Sequence, residues 1–479
     1  MRKLISVIAV LAAVCGISPS QEVPGLVAAK CSGCHQVPRP GSMPRGVWPK
    51  INLKMVDFME AANLPITQVE FDEINSYYLA NSSEFLDRIP DDFEEIALEF
   101  DKMSVGRASL DERPQITSLK LCDVDGDGIE NDVMVTDNNL GGVSWLQYRD
   151  GKWKETMVAE IPAAVNTTAF DLEGDGDLDF AVSAMGVMHP NDSLIGEFHL
   201  LINDGRGNFE QRQLLADVPR ITDCAPSDYD GDGDIDFVVA MFGWRETGRV
   251  SLLRQNEKGE FVPESIYEVN GCMRVISNDI NGDGSPDFVV LVTQQHETIA
   301  QFINDGTGKF ETKVLTRAAH PAFGSSSIYL HDLDGDGDED ILYTNGDMMD
   351  ENPEPKPYHG VRWLENDGAG NYTLHPLAGM PGCYDAKPID MDGDGDLDVV
   401  ISALYFQWYI NDFPSLAWLE NKGDFKSFTP RKIAYAPTNL ANIAVGDIDR
   451  NGKPDILGGG MHVPGPLDRK GRITVWLQK

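Results

Sequence analysis

The sequence predicts a mainly β protein, a seven-bladed β-propeller over residues 106–479 with a small all-α domain ahead of it over residues 21–83. Three observations carry that prediction. One acidic loop pattern recurs seven times at intervals of 48 to 58 residues. Each copy runs into a short apolar segment of strand type, and most are followed by a hairpin signal such as Asn203-Asp204-Gly205 or Asn304-Asp305-Gly306. The clearest helix signals, by contrast, fall before residue 84. Units of this length supply four strands each, and seven of them close into a ring.

The chain opens with an export signal over residues 1–20: Arg2 and Lys3, an apolar run from Leu4 to Val14, then small or turn-forming residues to Ser20. That run is about half the length needed to cross a bilayer, and no later segment is long and apolar enough. The mature protein is expected to be soluble, with no transmembrane segment, and periplasmic or secreted. A lipid anchor on Cys15 is disfavoured, because Val14 stands where the lipoprotein pattern wants a small residue. The net charge of −38 excludes nucleic acid as a partner, since phosphate binding needs a basic face.

Cys31-Ser32-Gly33-Cys34-His35 is the C-x-x-C-H arrangement of c-type haem attachment. Two thiols at that spacing can each form a thioether to one porphyrin, and the adjacent His35 is held under the iron as an axial ligand. The next histidine is His189, far along the chain, so methionine is favoured opposite it, with Met43, Met55 and Met59 in reach. The stretch Cys31 to Tyr78 resembles the small cytochrome c modules that precede repeat domains in some exported bacterial proteins. On that resemblance Trp48-Pro49 and Ile51 to Met55 place the ligand at Met55. The family usually has a proline close before that methionine and Asn52-Leu53-Lys54 has none, which leaves Met43 and Met59 open. Thr67-x-x-Glu70 is a capping box that starts a helix with Phe71, Ile74, Tyr77 and Tyr78 on one stripe. Residues 84–105, acidic and containing Pro90, read as a linker with one short helix.

The repeated loops place acidic or amide residues at positions one, three, five and nine. They are Asp123, Asp125, Asp127 and Asp132; Asp171, Glu173, Asp175 and Asp179; Asp228, Asp230, Asp232 and Asp236; Asp279, Asn281, Asp283 and Asp287. The last three are Asp332, Asp334, Asp336 and Asp340; Asp390, Asp392, Asp394 and Asp398; and Asp447, Asp449, Asn451 and Asp455. In the first loop one extra residue moves Asp132 to position ten. Glycine at position six permits the sharp turn, and the oxygens can converge on a hard cation, giving up to seven Ca²⁺. An EF-hand is excluded because position twelve is never acidic and the loops lead into strands. The pattern resembles the FG-GAP/VCBS repeat family, the calcium-loop propellers also seen in integrin heads, over roughly residues 106 to 479. The last unit is one strand short, and the segment near Ser104 to Leu110 is expected to complete it, which removes two open sheet edges.

Five residues before the loops stand Ser118, Asn166, Asp223, Arg274, Ser327, Asp385 and Asn442, all polar and all in the innermost strand. A shared phase aims them into the central channel. A wet channel wall is the plain explanation; the functional one is that Asp223, Arg274, Asp385 and Lys387 bind a small polar ligand. Aromatics in the loops after the second strands, among them Trp244 and Tyr405 to Tyr409, could form a docking surface for sugar or protein. Cys122, Cys224, Cys272 and Cys383 read as small core residues.

Two functional classes follow. One is an exported monohaem electron-transfer protein, in which the propeller docks a redox partner protein or oxidises a small polar substrate as an oxidoreductase with haem c as acceptor. The other is a binding or adhesion protein, with the propeller recognising glycan or protein and the haem accessory. The haem motif places electron transfer first.

Overall fold

Seven antiparallel four-stranded sheets follow one another along the chain, each built by simple up-and-down pairing, as the hairpin signals require. The computed structural model describes residues 23–33, 35–107, 113–256, 258–349, 354–404, 413–462 and 471–479. The export signal, Cys15, Cys34 and Tyr405 to Tyr409 lie outside the described residues. The chain divides into two compact units, Met1–Phe85 and Leu86–Lys479.

In the larger unit the first strand of each blade is innermost. These strands are Ile116–Cys122, Ala164–Phe170, Ile221–Ser227, Cys272–Asn278, Ser325–His331, Cys383–Ile389 and Leu440–Gly446. Each lies beside the next, and the seventh lies beside the first, so the ring is closed. The second strands, such as Asp236–Met241 and Asp398–Ala403, are buried along their whole length. Both of their faces are covered by neighbouring blades, which is why they read as continuous apolar runs and not as alternating ones. The core is accordingly divided into clusters between adjacent blades. Between blades 3 and 4, for example, Val238, Val250 and Leu252 meet Val275, Phe288 and Phe302, with the last two rings stacked at 4.5 Å. Every inner strand also carries the same irregularity: the pairing slips between the residues seven and five before the loop, as between Ile221 and Asp223.

The seventh blade is completed from upstream, as expected, but by Phe100–Val105, which pairs antiparallel with Ile473–Gln478. The segment assigned to a linker, 84–105, is therefore largely part of the propeller. Ile89 and Phe93 are buried, and Glu94–Glu95 adds a parallel fifth strand to the edge of blade 6. The acidic composition that suggested a solvated linker reflects pairing with that edge: Arg431 binds Glu94 at 2.9 Å and Lys432 binds Asp91 at 3.3 Å. No helix occurs there among the described residues.

A buried ion cluster joins the ends of the ring. Arg472, at the start of the last strand and 5% exposed, donates to Asp137 at 2.7 Å and to both oxygens of Glu155 on blade 1 at 2.6 and 2.7 Å. Glu155 also accepts from the Arg107 amide, just past the closing strand. A side chain at Gly106 (φ +78°) would meet the Glu155 carboxylate at 2.5 Å, so glycine is required there.

The smaller unit holds three helices, α1 (Gly25–Cys31), α2 (Trp48–Ala61) and α3 (Gln68–Asn81). The capping box forms as predicted, with Glu70 N–H donating to Thr67 Oγ1 and Thr67 N–H donating to the Glu70 carboxylate. Of the predicted stripe, Ile74 and Tyr78 are buried while Phe71 and Tyr77 are half-buried. Trp48 stacks on Tyr78 at 4.1 Å, and their polar tips donate to the carbonyls of Pro40 and Pro38.

Candidate metal loops, channel wall and haem motif

The acidic loops are shaped by their own backbone before any cation is considered. In the sixth, one oxygen of Asp390 accepts from Gly393 N–H at 2.8 Å and the other from Gly395 N–H at 3.0 Å. Both glycines have positive φ, +78° and +98°, which permits the tight coil. Asp398 accepts from Met391 N–H at 3.0 Å and from Asn421 N–H at 2.7 Å, so the closing aspartate ties the loop to the third strand. The same double contact is made by Asp179, Asp287, Asp340 and Asp455. Position nine is thus a structural strut as well as a candidate ligand.

Ligand oxygens come within 4.8 Å of one another in five loops: Asp123, Asp125 and Asp127; Asp228, Asp230 and Asp236; Asp332, Asp334 and Asp336; Asp390, Asp392 and Asp398; Asp447, Asp449 and Asp455. Buried carboxylate oxygens on Asp125, Asp230, Asp236, Asp177 and Asp396 have no hydrogen-bond partner. Oxygens left bare and close together in this way fit a hard divalent cation. Burial pushes the carboxyls of Asp236 and Asp455 up to about 6 and those of Asp340 and Asp398 up to about 7, with nearby acidic groups adding to the rise. Asp177 and Asp396 stand at position seven, which the sequence pattern did not single out, although four of the seven repeats are acidic there.

The loops are not equivalent. In the first, a guanidinium already sits among the acids: Arg149 reaches Asp125 at 2.7 Å and Asp132 at 2.9 Å, and Arg450 from blade 7 reaches Asp127 at 3.0 Å. In the fourth, the Asn281 amide donates to Asp283 at 2.9 Å. In the seventh, Asn451 turns its amide to the Gln478 carbonyl at 2.7 Å, and Arg450 takes φ +66° where the other six loops have glycine. The second, with Asp171, Glu173, Asp175 and Asp179, forms the same coil with a longer acid at position three.

A second repeated residue was read from sequence only as part of a turn. Asn203 and Asn304, both buried, use their side-chain amide to donate to a carbonyl of their own loop and to one of the preceding blade's loop, Val124 and Tyr229 respectively. Their oxygens accept from the hairpin glycines. Asn366 and Asn421 hold their own loops in the same way.

Six of the seven polar residues five before the loops, all but Arg274, are taken up in bonds between blades. Ser118 donates to Asn166 at 2.9 Å, and Asn166 donates to Asp223 on the next blade. Asp223 accepts from Val275 N–H of blade 4 at 3.1 Å. Ser327 donates to Asp385 at 3.0 Å, Asp385 accepts from Ile443 N–H at 3.1 Å, and Asn442 donates to the Ile116 carbonyl at 2.9 Å. These six are buried and clasp neighbouring blades. The assignment of Asp223 and Asp385 as ligand-binding groups is corrected on that ground: their oxygens are taken by the ring itself. Cys122, Cys224, Cys272 and Cys383 are buried free thiols, as read.

In the smaller unit, Cys31 ends α1 as a partly buried thiol whose pKa is raised by burial. His35 Nδ1 lies 2.7 Å from the Gln36 carbonyl. A carbonyl only accepts, so Nδ1 is the donor, and Nε2 is the ring nitrogen that this bond leaves unengaged. Met43 is buried in the small core, while Met55 and Met59, one turn apart on α2, are half-buried. Few side chains in this unit are fully buried, and Leu53 and Val69 are 61% and 75% exposed. A thiol, an imidazole nitrogen and exposed apolar side chains are the donor and surface types that a metal-bearing porphyrin needs.

Residues 228–290 and 279–343 match the model of the FG-GAP-like repeat. The chain is similar to the T-cell immunomodulatory proteins of Mus musculus and Homo sapiens, 24% identical to each over 266 residues. That match takes in 50% of this chain and 41% of theirs, so the chain spans less than half the length of these relatives. The larger unit is therefore a seven-bladed propeller that contains FG-GAP-like repeats over residues 228–343. No described helix is long and apolar enough to cross a membrane.

Proposed function

We propose that this chain is an exported, calcium-loaded binding protein whose propeller docks a protein or a glycan. The observation that supports it best is the closed ring of FG-GAP-like blades with convergent carboxylate loops. The similarity to proteins named as T-cell immunomodulators is compatible with a recognition role. Calcium acts here as a fastener, holding the loop side chains so that the adjoining surface keeps one shape. Arrays of glycans and of extracellular proteins, probed with the full chain in calcium and again in a chelator, test this. Saturable, calcium-dependent binding is expected.

The second reading, electron transfer, is favoured by one motif, the Cys31 thiol at the end of α1 four positions before His35, whose Nδ1 is engaged by the Gln36 carbonyl. Cys31 and Cys34 would hold one haem c, with His35 and Met55 as axial ligands, and the iron would supply a one-electron couple. The protein's own part is to fix the His35 tautomer through Gln36 and to cover the ring with α2 and α3. The wild type is expected to contain one covalently attached haem by its pyridine haemochrome spectrum, and Cys31→Ala to weaken or lose that attachment. An unlabelled wild-type chain from a host competent in haem attachment would remove this reading and leave the binding reading untouched.

A further inference from the structure

One blade breaks the clasped ring of the inner strands. Arg274 stands where the other six blades carry a buried clasp, yet its guanidinium lies 3.9 Å from Asp223 with the side chain about a quarter exposed. The junction between blades 4 and 5 accordingly lacks the side-chain bond from this position that the other six junctions have. Exceptions to a repeated structural rule mark functional positions more often than defects.

Two further cations leave the inner strands three residues before their loops, Lys120 on blade 1 and Lys387 on blade 6. The Lys120 side chain reaches solvent inside the ring, and its ammonium makes no hydrogen bond or ion pair among the described residues. Burial within the ring lowers its pKa, and the charges of Asp223, Lys387 and Arg274 act on it from blades 3, 6 and 4. A residue of blade 1 feels those blades only across a shared lumen. The carboxylates of the wall do not neutralise it. Asp223 is engaged by Asn166, its own chain and Val275, and Asp385 by Ser327, Ile443 and the Lys387 ammonium at 2.7 Å. One positive charge is left over, in a chain of net charge −38.

One end of the inner strands also carries an apolar cluster. Met273, Tyr384, Leu404, Ala441 and Met461 pack together from blades 4, 6 and 7, on the side away from the acidic loops. Tyr329 lines the level of the two lysines, with Lys387 Nζ 5.5 Å from its ring centre. The charges of Glu130 and Glu339 reach Tyr329 from the loop side, which disfavours a ligand carrying several negative charges.

We propose that the lumen is a binding site for one carboxylate group, of a small organic acid or of an acidic sugar, held between Lys120 and the fork of Arg274. A guanidinium donates two parallel hydrogen bonds to a carboxylate, and a single unbalanced charge matches a monoanion. The Tyr329 ring and the apolar cluster receive the carbon skeleton. This site is independent of the haem and of what the outer surface binds.

The test is isothermal titration of the full calcium-loaded chain at constant ionic strength with acetate, glucuronate and chloride, using wild type, Lys120→Gln and Arg274→Asn. The last variant restores the residue found at this position in blades 2 and 7. Saturable 1:1 binding of a carboxylate is expected, weakened at least tenfold in each variant, while the melting temperature of Arg274→Asn stays level or rises. Tighter binding of glucuronate than of acetate would mark the acidic sugar as the source, and the reverse the free acid. No saturable binding, unchanged binding in both variants, or chloride competing as well as the carboxylates would overturn the proposal.

Discussion

Removing divalent cations with a chelator should lower the melting temperature of the propeller by on the order of 10–15 °C. In the fifth, sixth and seventh loops carboxylate oxygens converge with no cationic side chain seated among them as Arg149 is in the first and Arg254, 3.1 Å from Asp230, is in the third. A site held at a hundred times its dissociation constant contributes about 2.7 kcal/mol, so three such sites contribute roughly 8 kcal/mol, as much as the whole stability of many domains. High salt without chelator should do far less, because it screens repulsion but fills no site. The first loop should stay metal-free while Arg149 neutralises it. Arg149→Ala is expected to add one equivalent of bound calcium, read by metal analysis after gel filtration; an unchanged count would mean the guanidinium and the metal never compete.

Arg472→Met should destabilise the propeller by about 3–5 kcal/mol, because it leaves Asp137 and Glu155 facing each other without their cation in a buried place. Burial alone would raise the Glu155 carboxyl, but the Arg472 guanidinium outweighs it and holds the group below its usual range. A depressed acid stabilises the fold above its unfolded pKa and loses that contribution as pH falls through the folded one. In the variant the sign reverses, since burial then acts unopposed. The destabilisation should be larger at pH 7.5 than at pH 5, measured by denaturant titration in calcium. A loss equal at both pH values would mean that only packing had been removed.

The ring and its loops were legible because their causes are local. Asp390 to Asp398 carry the turn glycines, the acids and the start of the next strand within nine residues, and that unit is repeated. What escaped depends on partners far along the chain. Arg472 meets a glutamate more than 300 positions away, and Arg149 enters a loop across its own sheet. The inner-strand residues were placed on the correct strand, but Asp223 and Asp385 were assigned to a ligand because a polar side chain on a channel wall looks the same whether it faces water or the next blade. The acidic stretch 84–105 misled for a related reason: nothing local shows that Arg431 and Lys432 await it.

Closing the ring with Phe100–Val105 also has a temporal consequence. Among the strands of the seven four-stranded blades, leaving aside the short edge strand Glu94–Glu95, this one is the first to be synthesised, and its partner Ile473–Gln478 is the last. At ordinary translation rates it waits roughly 20–75 s for that partner. During that time the chain cannot complete its fold. Asp101 and Lys102 put charge on the waiting strand and discourage it from pairing with a neighbouring chain.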